Sequence, residues 1–445
     1  MSNVFVDFNI SCGEIKQMHG VNNGPVKASN THQSLGNFDA FKAARIPYAR
    51  THDASFCPEY GGEHAVDIHA VFPDFSKNPR DPDSYDFTLT DDYIQNIVDS
   101  GAAVFYRLGT KIEHWRKKYG TVVPADFNKW AIICEYIIKH YNEGWANGFH
   151  HNIIYWEIWN EPDGAPNWTG SPEEFYEMYA VAATHLKKRF PRLKIGGPAV
   201  SCVPRNGGEW TRGFLASLTE NGRRVPLDFL SWHLYSKNPH DIFVFERCAR
   251  TYLKEAGYTE TESILNEYNY LENWTDLFVS TIESIIGMRG AAFTSACFAV
   301  GQASTVDMLM YYDARPSVFN GLFDFYTYRP LKGYHAFIMF SHLYELGGSV
   351  KCDSDDGDVY VVAAKGEKAK AIMLTHYRQD KEKTEKTVTL KLQGVTDGTW
   401  QAEVLDSENP MTPKTVSVKD GELSLTMPSD CVILLKSDAS EGNDQ

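Results

Sequence analysis

Residues 151–162 read His-Asn-Ile-Ile-Tyr-Trp-Glu-Ile-Trp-Asn-Glu-Pro and carry the clearest structural signal in the chain. Positions 153–159 form a nearly continuous apolar and aromatic run, which is typical of a parallel strand buried on both faces. The strand is expected to end before Pro162, because proline cannot donate to the hydrogen-bond ladder of a sheet. Glu161 is thereby placed at the carboxyl end of a buried parallel strand, where (β/α)8 barrels carry their functional groups.

A second stretch, residues 263–270, reads Ser-Ile-Leu-Asn-Glu-Tyr-Asn-Tyr and places Glu267 after a short apolar run. Three βαβ units of roughly 35 residues each fit between Glu161 and Glu267. If Glu161 ends the fourth barrel strand, Glu267 ends the seventh, and the two carboxyl groups can face each other across the barrel mouth. Two facing carboxyl groups are what glycoside hydrolysis requires, since one protonates the leaving oxygen while the other attacks or activates water.

The remaining sequence predicts an α/β protein with a (β/α)8 TIM barrel over residues 15–346, because strand and helix patterns alternate eight times. The other predicted barrel strands are 15–21, 46–51, 102–108, 193–198, 227–232, 262–267 and 306–312. The predicted helices are 34–45, 90–100, 125–142, 171–189, 208–221, 240–256, 276–300 and 332–346.

The pattern changes after Gly347-Gly348. Short alternating runs separated by Asp-Gly and Gly-Glu turns predict a small C-terminal antiparallel β-sandwich over residues 347–436. An alternating strand within residues 1–14 is expected to join this sandwich. Residues 437–445 are expected to form a disordered tail.

The motif Trp159-Asn160-Glu161-Pro162, followed by Asn266-Glu267-Tyr268-Asn269, resembles glycoside hydrolase family 39. This family belongs to clan A of retaining (β/α)8 glycosidases and includes β-xylosidases and α-L-iduronidases. The resemblance covers about residues 15–346. It implies that Glu161 is the general acid/base and that Glu267 is the nucleophile of a double-displacement mechanism. The pKa of Glu161 must then be raised, so that it holds a proton at neutral pH.

Three further residues match the same family near the ends of their strands. Asn160 resembles the asparagine that hydrogen-bonds the sugar 2-hydroxyl. Tyr235 is placed like the tyrosine that hydrogen-bonds the nucleophile, and His233 like the histidine that contacts the substrate or the acid/base. For each of these residues, a buried or turn-forming side chain without a catalytic role is the alternative interpretation.

Arg50 and His52 form an Arg-x-His motif at the end of the predicted second strand, as in the family. The arginine would hold Glu267 charged, and the histidine would reach a sugar hydroxyl. A structural ion pair between Arg50 and Glu267 is the alternative. The sequence departs from the family at strand eight, where a tryptophan commonly lies beneath the sugar. Tyr311 takes that region here and can still stack on a sugar ring.

Several other residues near the predicted mouth have open roles. Arg107 and Lys111 could bind a substrate carboxylate, as a uronic acid would need, or could be solvated surface charges. The tryptophans in or near mouth loops could stack on sugar rings or could pack in the ordinary way. These tryptophans are Trp115, Trp168 and Trp274.

Composition narrows the classes of partner. The net charge of −15 without a Lys/Arg-rich run makes nucleic acids and anionic membranes poor partners. Cys-x-x-Cys and His-Glu-x-x-His motifs are absent from the sequence, so neither a metal nor an organic cofactor is expected. The N-terminal residues do not form a signal peptide, which predicts a cytoplasmic protein, or a secreted one if a leader was removed.

These patterns together predict a retaining exo-acting glycosidase, most like a β-xylosidase, whose partner is a small oligosaccharide or glycoside. Other exo-specificities remain open, namely α-L-arabinosidase, β-galactosidase and α-L-iduronidase. A non-catalytic carbohydrate-binding barrel is the alternative from a different functional class. The resemblance also implies a possible homo-oligomer.

Overall fold

The computed structural model describes residues 2–28, 35–53, 65–113, 116–164 and 166–437 of the 445-residue chain. These residues form a closed barrel of eight parallel strands and a separate nine-stranded sheet. The predicted (β/α)8 barrel with a second, strand-rich domain is therefore confirmed. The predicted disordered tail lies outside the described residues, apart from Ser437.

The barrel strands follow one another around the barrel in chain order. The first strand of the chain, β1 (Ser2–Glu14), belongs to the second domain. The barrel strands are β2 (Gln17–Asn22), β3 (Tyr48–Arg50), β4 (Ala103–Leu108), β5 (Tyr155–Ile158), β6 (Lys194–Val200), β7 (Phe229–Ser236), β8 (Glu262–Tyr270) and β9 (Met308–Tyr311).

Helices follow the barrel strands and cover the outside of the barrel. They are α1 (Phe38–Ala43), α2 (Ile68–Val71), α3 (Thr88–Ser100), α4 (Phe127–Glu143), α5 (Pro172–Arg189), α6 (Glu209–Ser217), α7 (Asp241–Glu255), α8 (Phe278–Ile286), α9 (Met288–Ala303) and α10 (Lys332–Leu346). The start of α5 shows why the sequence begins a helix there, since Ser171 and Glu174 form a reciprocal capping box around Pro172.

The single helix predicted over 276–300 is wrong, because the structure divides it into α8 and α9. The break falls at Gly287, whose φ of −98° and ψ of −170° are those of extended backbone. The two helices meet at an angle of 77°. Among the described helices, none alone has the length and hydropathy of a membrane span, although the bent pair α8 and α9 together does.

The second domain is one nine-stranded sheet in the order β15-β14-β17-β12-β11-β10-β1-β13-β16. Its later strands are β10 (Gly348–Ser354), β11 (Val359–Lys365), β12 (Lys370–His376), β13 (Glu385–Gln393), β14 (Gly398–Leu405), β15 (Pro410–Val418), β16 (Glu422–Pro428) and β17 (Cys431–Ser437). Its edge strands β15 and β16 contact each other, so the sheet folds over one hydrophobic core. β1 pairs antiparallel with β10 and parallel with β13, while the other neighbouring pairs of this sheet are antiparallel.

The second domain packs against the helices behind the last barrel strands. Helices α9 and α10 contact β11 and β12 on one side, and α9 contacts β8 and β9 on the other. The Ser295 and Thr375 hydroxyls are hydrogen-bonded at 2.5 Å across this interface, and the Tyr377 hydroxyl donates to the Lys237 carbonyl at 2.6 Å. The sheet therefore supports the part of the barrel that carries Glu267.

Candidate active site

The backbone after β5 turns sharply and places Glu161 over the barrel mouth. Trp159 and Glu161 have φ values of +79° and +50°, a left-handed region in which non-glycine residues are strained. Long-range hydrogen bonds hold this turn, since Trp159 N donates to the Leu108 carbonyl at 2.7 Å and Glu161 N donates to the Ala199 carbonyl at 2.9 Å. Both neighbouring strands, β4 and β6, therefore fix the orientation of the Glu161 side chain.

The Glu161 carboxyl group is almost enclosed. Its Oε2 accepts a hydrogen bond from Asn167 Nδ2 at 2.9 Å, and its Oε1 lies 2.8 Å from His233 Nδ1. Burial raises the pKa of Glu161 above that of an ordinary glutamic acid, and the nearby His52 and Arg50 oppose this rise. The environment thus favours a carboxyl group that keeps its proton. The contact with Asn167 was not predicted, because no strand or helix pattern in the sequence places this residue next to Glu161.

Glu267 is the sixth of the nine residues of β8 and is held by residues from two other strands. The Tyr235 hydroxyl donates to its Oε1 at 2.6 Å, and Arg50 Nη1 donates to its Oε2 at 3.1 Å. His52 Nε2 lies farther away, at 3.9 Å from Oε2. The structure therefore brings together the predicted residues Arg50, His52, Tyr235 and Glu267.

His233 lies between the two carboxyl groups. Its Nδ1 is 2.8 Å from Glu161 Oε1 and its Nε2 is 3.5 Å from Glu267 Oε2. One side-chain atom of each of the three residues lies within 4.8 Å of the other two. Burial lowers the pKa of His233 to about 4, so the imidazole is neutral at pH 7. Carboxyl groups about 5–5.5 Å apart are typical of retaining glycosidases, whereas inverting enzymes separate them by about 6.5–9.5 Å.

These three side chains are also the one group among the described residues that could hold a metal ion. The 2.8 Å contact between His233 Nδ1 and Glu161 Oε1 has the length of a hydrogen bond. A nitrogen and an oxygen at this distance share a proton, so their lone pairs point at each other and not at a common metal ion. The geometry therefore fits acid–base chemistry better than metal ligation.

Arg50 is fully buried and organises the floor of the site. It donates from Nε to Glu157 at 2.7 Å, from Nη1 to Asn22 at 2.8 Å, and from Nη2 to Asn160 at 2.7 Å. Together with its bond to Glu267, these contacts connect β2, β5 and β8 to one guanidinium group at the end of β3. Both interpretations of Arg50 thus describe the same geometry, a buried ion pair that also positions the nucleophile candidate.

We expect Arg50→Met to lower the free energy of unfolding by about 3–5 kcal/mol, because it leaves the Glu157 and Glu267 carboxylates buried without their cation. Urea unfolding measures this loss. The double variant Arg50→Met/Glu157→Gln also removes one of the two unpaired buried charges, so it should recover part of the lost free energy of unfolding. As a control, Arg189→Met removes a half-exposed arginine from Glu135, which keeps Lys139 and His185 as partners, and should cost less than about 1 kcal/mol. An Arg50→Met protein as stable as the wild type would contradict this account.

Several buried polar atoms in the site have no hydrogen-bond partner among the described residues. They are Asn160 Nδ2, His52 Nε2 and His233 Nε2. Buried polar groups are costly when unpaired, so natural proteins leave them open mainly where something else binds. Hydroxyl groups of a sugar, which both donate and accept, would supply the missing partners.

Tyr311 does not lie in the site, which corrects the prediction that it stacks on the substrate. Its hydroxyl accepts a hydrogen bond from Gly321 N at 3.0 Å, and its ring packs against Phe337 of α10. Side chains alternate along a strand, so the next residue faces the opposite way. Tyr312 donates to Asp53 Oδ2 at 2.8 Å and lies edge-on to His52, and it is the tyrosine at the mouth.

The contacts of Arg107 and Lys111 bear on whether they could bind a substrate carboxylate. Arg107 is fully buried and donates to Asp67 Oδ1 at 2.7 Å and to the His52 carbonyl at 2.8 Å. Lys111 Nζ lies 3.1 Å from Asp53 Oδ1. The alternative of solvated surface charges is therefore wrong, because Arg107 is buried and Lys111 is nearly so. Both cations already face carboxylates of the protein, which speaks against a role in recognising a uronic acid.

The three candidate tryptophans differ in their exposure to a ligand. Trp168 is buried, donates to the Ser171 carbonyl at 2.9 Å and packs edge-on against Trp159, so it belongs to the core. Trp115 lies outside the described residues. Trp274 is 58% exposed, and its ring centroid is 5.1 Å from that of Tyr235. Only Trp274, of the two described, is available to a ligand.

Known proteins match this chain in sequence and in fold. A β-xylosidase from Geobacillus stearothermophilus is 31% identical over 202 residues, which cover 41% of this chain and 36% of that relative. The chain thus spans well under half of the length of this curated relative. Two solved structures share the fold over nearly the whole chain, a glucosidase from Croceicoccus marinus and a monomeric β-xylosidase from Caulobacter crescentus CB15.

The glucosidase superposes with a TM-score of 0.79 at 22% identity and covers 98% of both chains. The β-xylosidase superposes with a TM-score of 0.71 at 16% identity and covers 98% of this chain and 99% of its own. At these identities the likeness establishes the fold. The sequence model of "Glycosyl hydrolases family 39" matches residues 33–264, more than half of the chain. The chain therefore belongs to glycosyl hydrolase family 39.

Proposed function

We propose that this chain is a retaining exo-glycosidase that releases terminal xylose from β-xylosides. The observation that carries the proposal is the close approach of Glu161 and Glu267, whose oxygens lie within 4.8 Å of each other beside one neutral histidine. The spacing leaves too little room for a water molecule between the carboxyl groups and the sugar, as an inverting enzyme would need. Direct attack by one carboxylate is the remaining route.

In the first step, Glu161 gives its proton to the glycosidic oxygen while a Glu267 oxygen attacks the anomeric carbon. The bond between that carbon and the leaving group breaks, and an ester forms between the sugar and Glu267. The raised pKa of Glu161 supports its role as the acid. Tyr235 and Arg50 orient the attacking carboxylate, because each donates to a different oxygen of Glu267.

In the second step, Glu161, now a carboxylate, takes a proton from water. The water oxygen attacks the anomeric carbon, the ester bond breaks, and both glutamates return to their starting states. Asn160 Nδ2 supports both steps if it binds the sugar 2-hydroxyl, since its Oδ1 is already fixed by Arg50. Because both steps invert the anomeric centre, the product keeps the configuration of the substrate.

The choice of xylose is supported by the relatives named β-xylosidase, from Geobacillus stearothermophilus and Caldicellulosiruptor saccharolyticus. Among the alternative sugars, iduronic acid fits worst, because Arg107 and Lys111 already face Asp67 and Asp53. Arabinose and galactose carry no carboxylate and remain to be compared by experiment.

The proposal is tested with a panel of nitrophenyl glycosides and proton NMR of the first product. We expect nitrophenyl β-xyloside to be cleaved fastest, with β-xylose appearing before mutarotation produces the α-anomer. Preference for another sugar would overturn the specificity, and α-xylose as the first product would overturn the retaining mechanism. If no glycoside is cleaved while xylose raises the melting temperature, the chain is a carbohydrate-binding barrel instead.

A further inference from the structure

An exposed group of aromatic rings adjoins the site on one side. The Trp274 ring lies 5.8 Å from that of Phe319 with 26° between their planes, and 5.8 Å from that of Phe278. We call these three residues the Trp274 platform. Trp274 is 58% exposed, whereas the two phenylalanines are partly buried and support it from below. The platform begins where β8 ends.

The platform is continuous with the candidate catalytic residues. Trp274 is in edge contact with Tyr235, whose centroid is 5.1 Å away, and Tyr235 donates to Glu267 at 2.6 Å. Phe319 also contacts the Tyr235 ring at 5.8 Å. A ligand held at Glu267 would therefore have the exposed indole as its next neighbour on this side.

Beyond β3 and β4, the mouth is lined by a network of charged groups. Asp53 lies 3.1 Å from Lys111 Nζ, 3.4 Å from Arg315 Nη2 and 3.1 Å from His52 Nδ1. The side chains of Lys111 and Arg315 are only 16% and 15% exposed, and that of Asp53 is 2% exposed. Among the described residues, the mouth is thus enclosed beyond β3 and β4 and open beyond β8.

We propose that Trp274 is the stacking surface for the sugar ring on the leaving-group side, so the substrate is a β-linked di- or oligosaccharide. An exo-enzyme encloses the terminal sugar, and the rest of the substrate must leave through the open side, where the platform lies. Pyranose rings present apolar C–H faces, which pack well on an exposed indole. This inference rests on the proposed function and adds the chemical nature of the leaving group.

The test compares two substrates that share the terminal sugar and differ in the leaving group. Xylobiose has a sugar on the leaving-group side, whereas β-xylosyl fluoride has none, so only xylobiose uses the platform. The measured quantity is the ratio of kcat/KM for xylobiose to kcat/KM for the fluoride. We expect Trp274→Ala to lower this ratio about tenfold or more, and Trp274→Phe to recover most of it.

Val279→Ala is the matched control, because Val279 is an exposed apolar residue on the adjacent helix α8 with no ring to stack on a sugar. It should leave the ratio at its wild-type value. If Trp274→Ala cleaves both substrates with an unchanged ratio, even at equally reduced rates, the role of the platform is overturned while the proposed function stands. If sedimentation then shows that Trp274→Ala changes the mass of the particle, the patch is an interface with a second copy. A wild type that cleaves neither substrate overturns the proposed function, and the platform with it.

Discussion

Glu267→Ala should lower kcat/KM for nitrophenyl β-xyloside at least about 10⁴-fold, because no other group can form the glycosyl ester. The removed side chain leaves a small space below the anomeric carbon, next to Tyr235 and Arg50. Azide is small enough for that space, and its negative charge replaces the carboxylate that Arg50 has lost as a partner. We expect added azide to restore turnover and to yield the α-xylosyl azide, whose configuration is inverted relative to the substrate.

Glu262→Ala is the control for this variant. Glu262 is a glutamate at the other end of the same strand, where it pairs with Lys194 and Tyr155 at the bottom of the barrel. Its removal should leave kcat/KM near the wild-type value. The assignment of Glu267 would be refuted by a purified Glu267→Ala protein with undiminished activity. A β-xylosyl azide as the product would be equally damaging, since it would show that azide attacked a covalent intermediate.

Glu161→Ala should separate substrates by their leaving groups. Dinitrophenolate departs without a proton, so kcat/KM for dinitrophenyl β-xyloside should fall less than about tenfold, whereas that for xylobiose should fall about 10²–10⁴-fold. Azide should again restore turnover, but now by attack on the ester at Glu267. The product is then β-xylosyl azide, of opposite configuration to that from Glu267→Ala.

The pH profile gives a second readout for Glu161. Burial raises the pKa of this residue, so the acid keeps its proton to a higher pH than a free glutamic acid. In the wild type, kcat/KM should fall on the alkaline side as Glu161 loses its proton, and Glu161→Ala should lack that fall. Glu173→Ala, at an exposed position in the first turn of α5, should keep the wild-type profile. A persistent alkaline fall in Glu161→Ala, or equal losses for both leaving groups, would show that another residue is the acid.

The barrel could be predicted from sequence because its determinants are local. Buried parallel strands appear as apolar runs such as 153–159, and each is followed by a helical pattern of expected length. The two glutamates could be found for the same reason, since both come where an apolar run stops. The family resemblance then supplied Asn160 beside Glu161 and candidates at the ends of β3 and β7, and the structure brings these side chains into one site, whereas Tyr311 of β9 lies outside it.

The predictions from sequence failed where the direction of a side chain, or a contact between residues far apart in the chain, decides the structure. Tyr311 and Tyr312 are neighbours in sequence, and only the alternation of β9 determines which ring faces the mouth. The contact of Asn167 with Glu161 depends on a turn with positive φ that leaves no periodic pattern. The break at Gly287 falls on a residue type with poor helical propensity, which the apolar pattern of the flanking residues concealed.

The placement of β1 between β10 and β13 has a consequence for synthesis. The ribosome adds about 5–20 residues per second, so roughly 20 to 70 seconds pass between the emergence of β1 and that of its partners. During this time the apolar face of β1, formed by Val4, Val6 and Phe8, has no sheet to join. A barrel produced without the second domain would carry this strand permanently as an unpaired edge, which favours aggregation. A shortened catalytic version of the chain should therefore begin after Glu14.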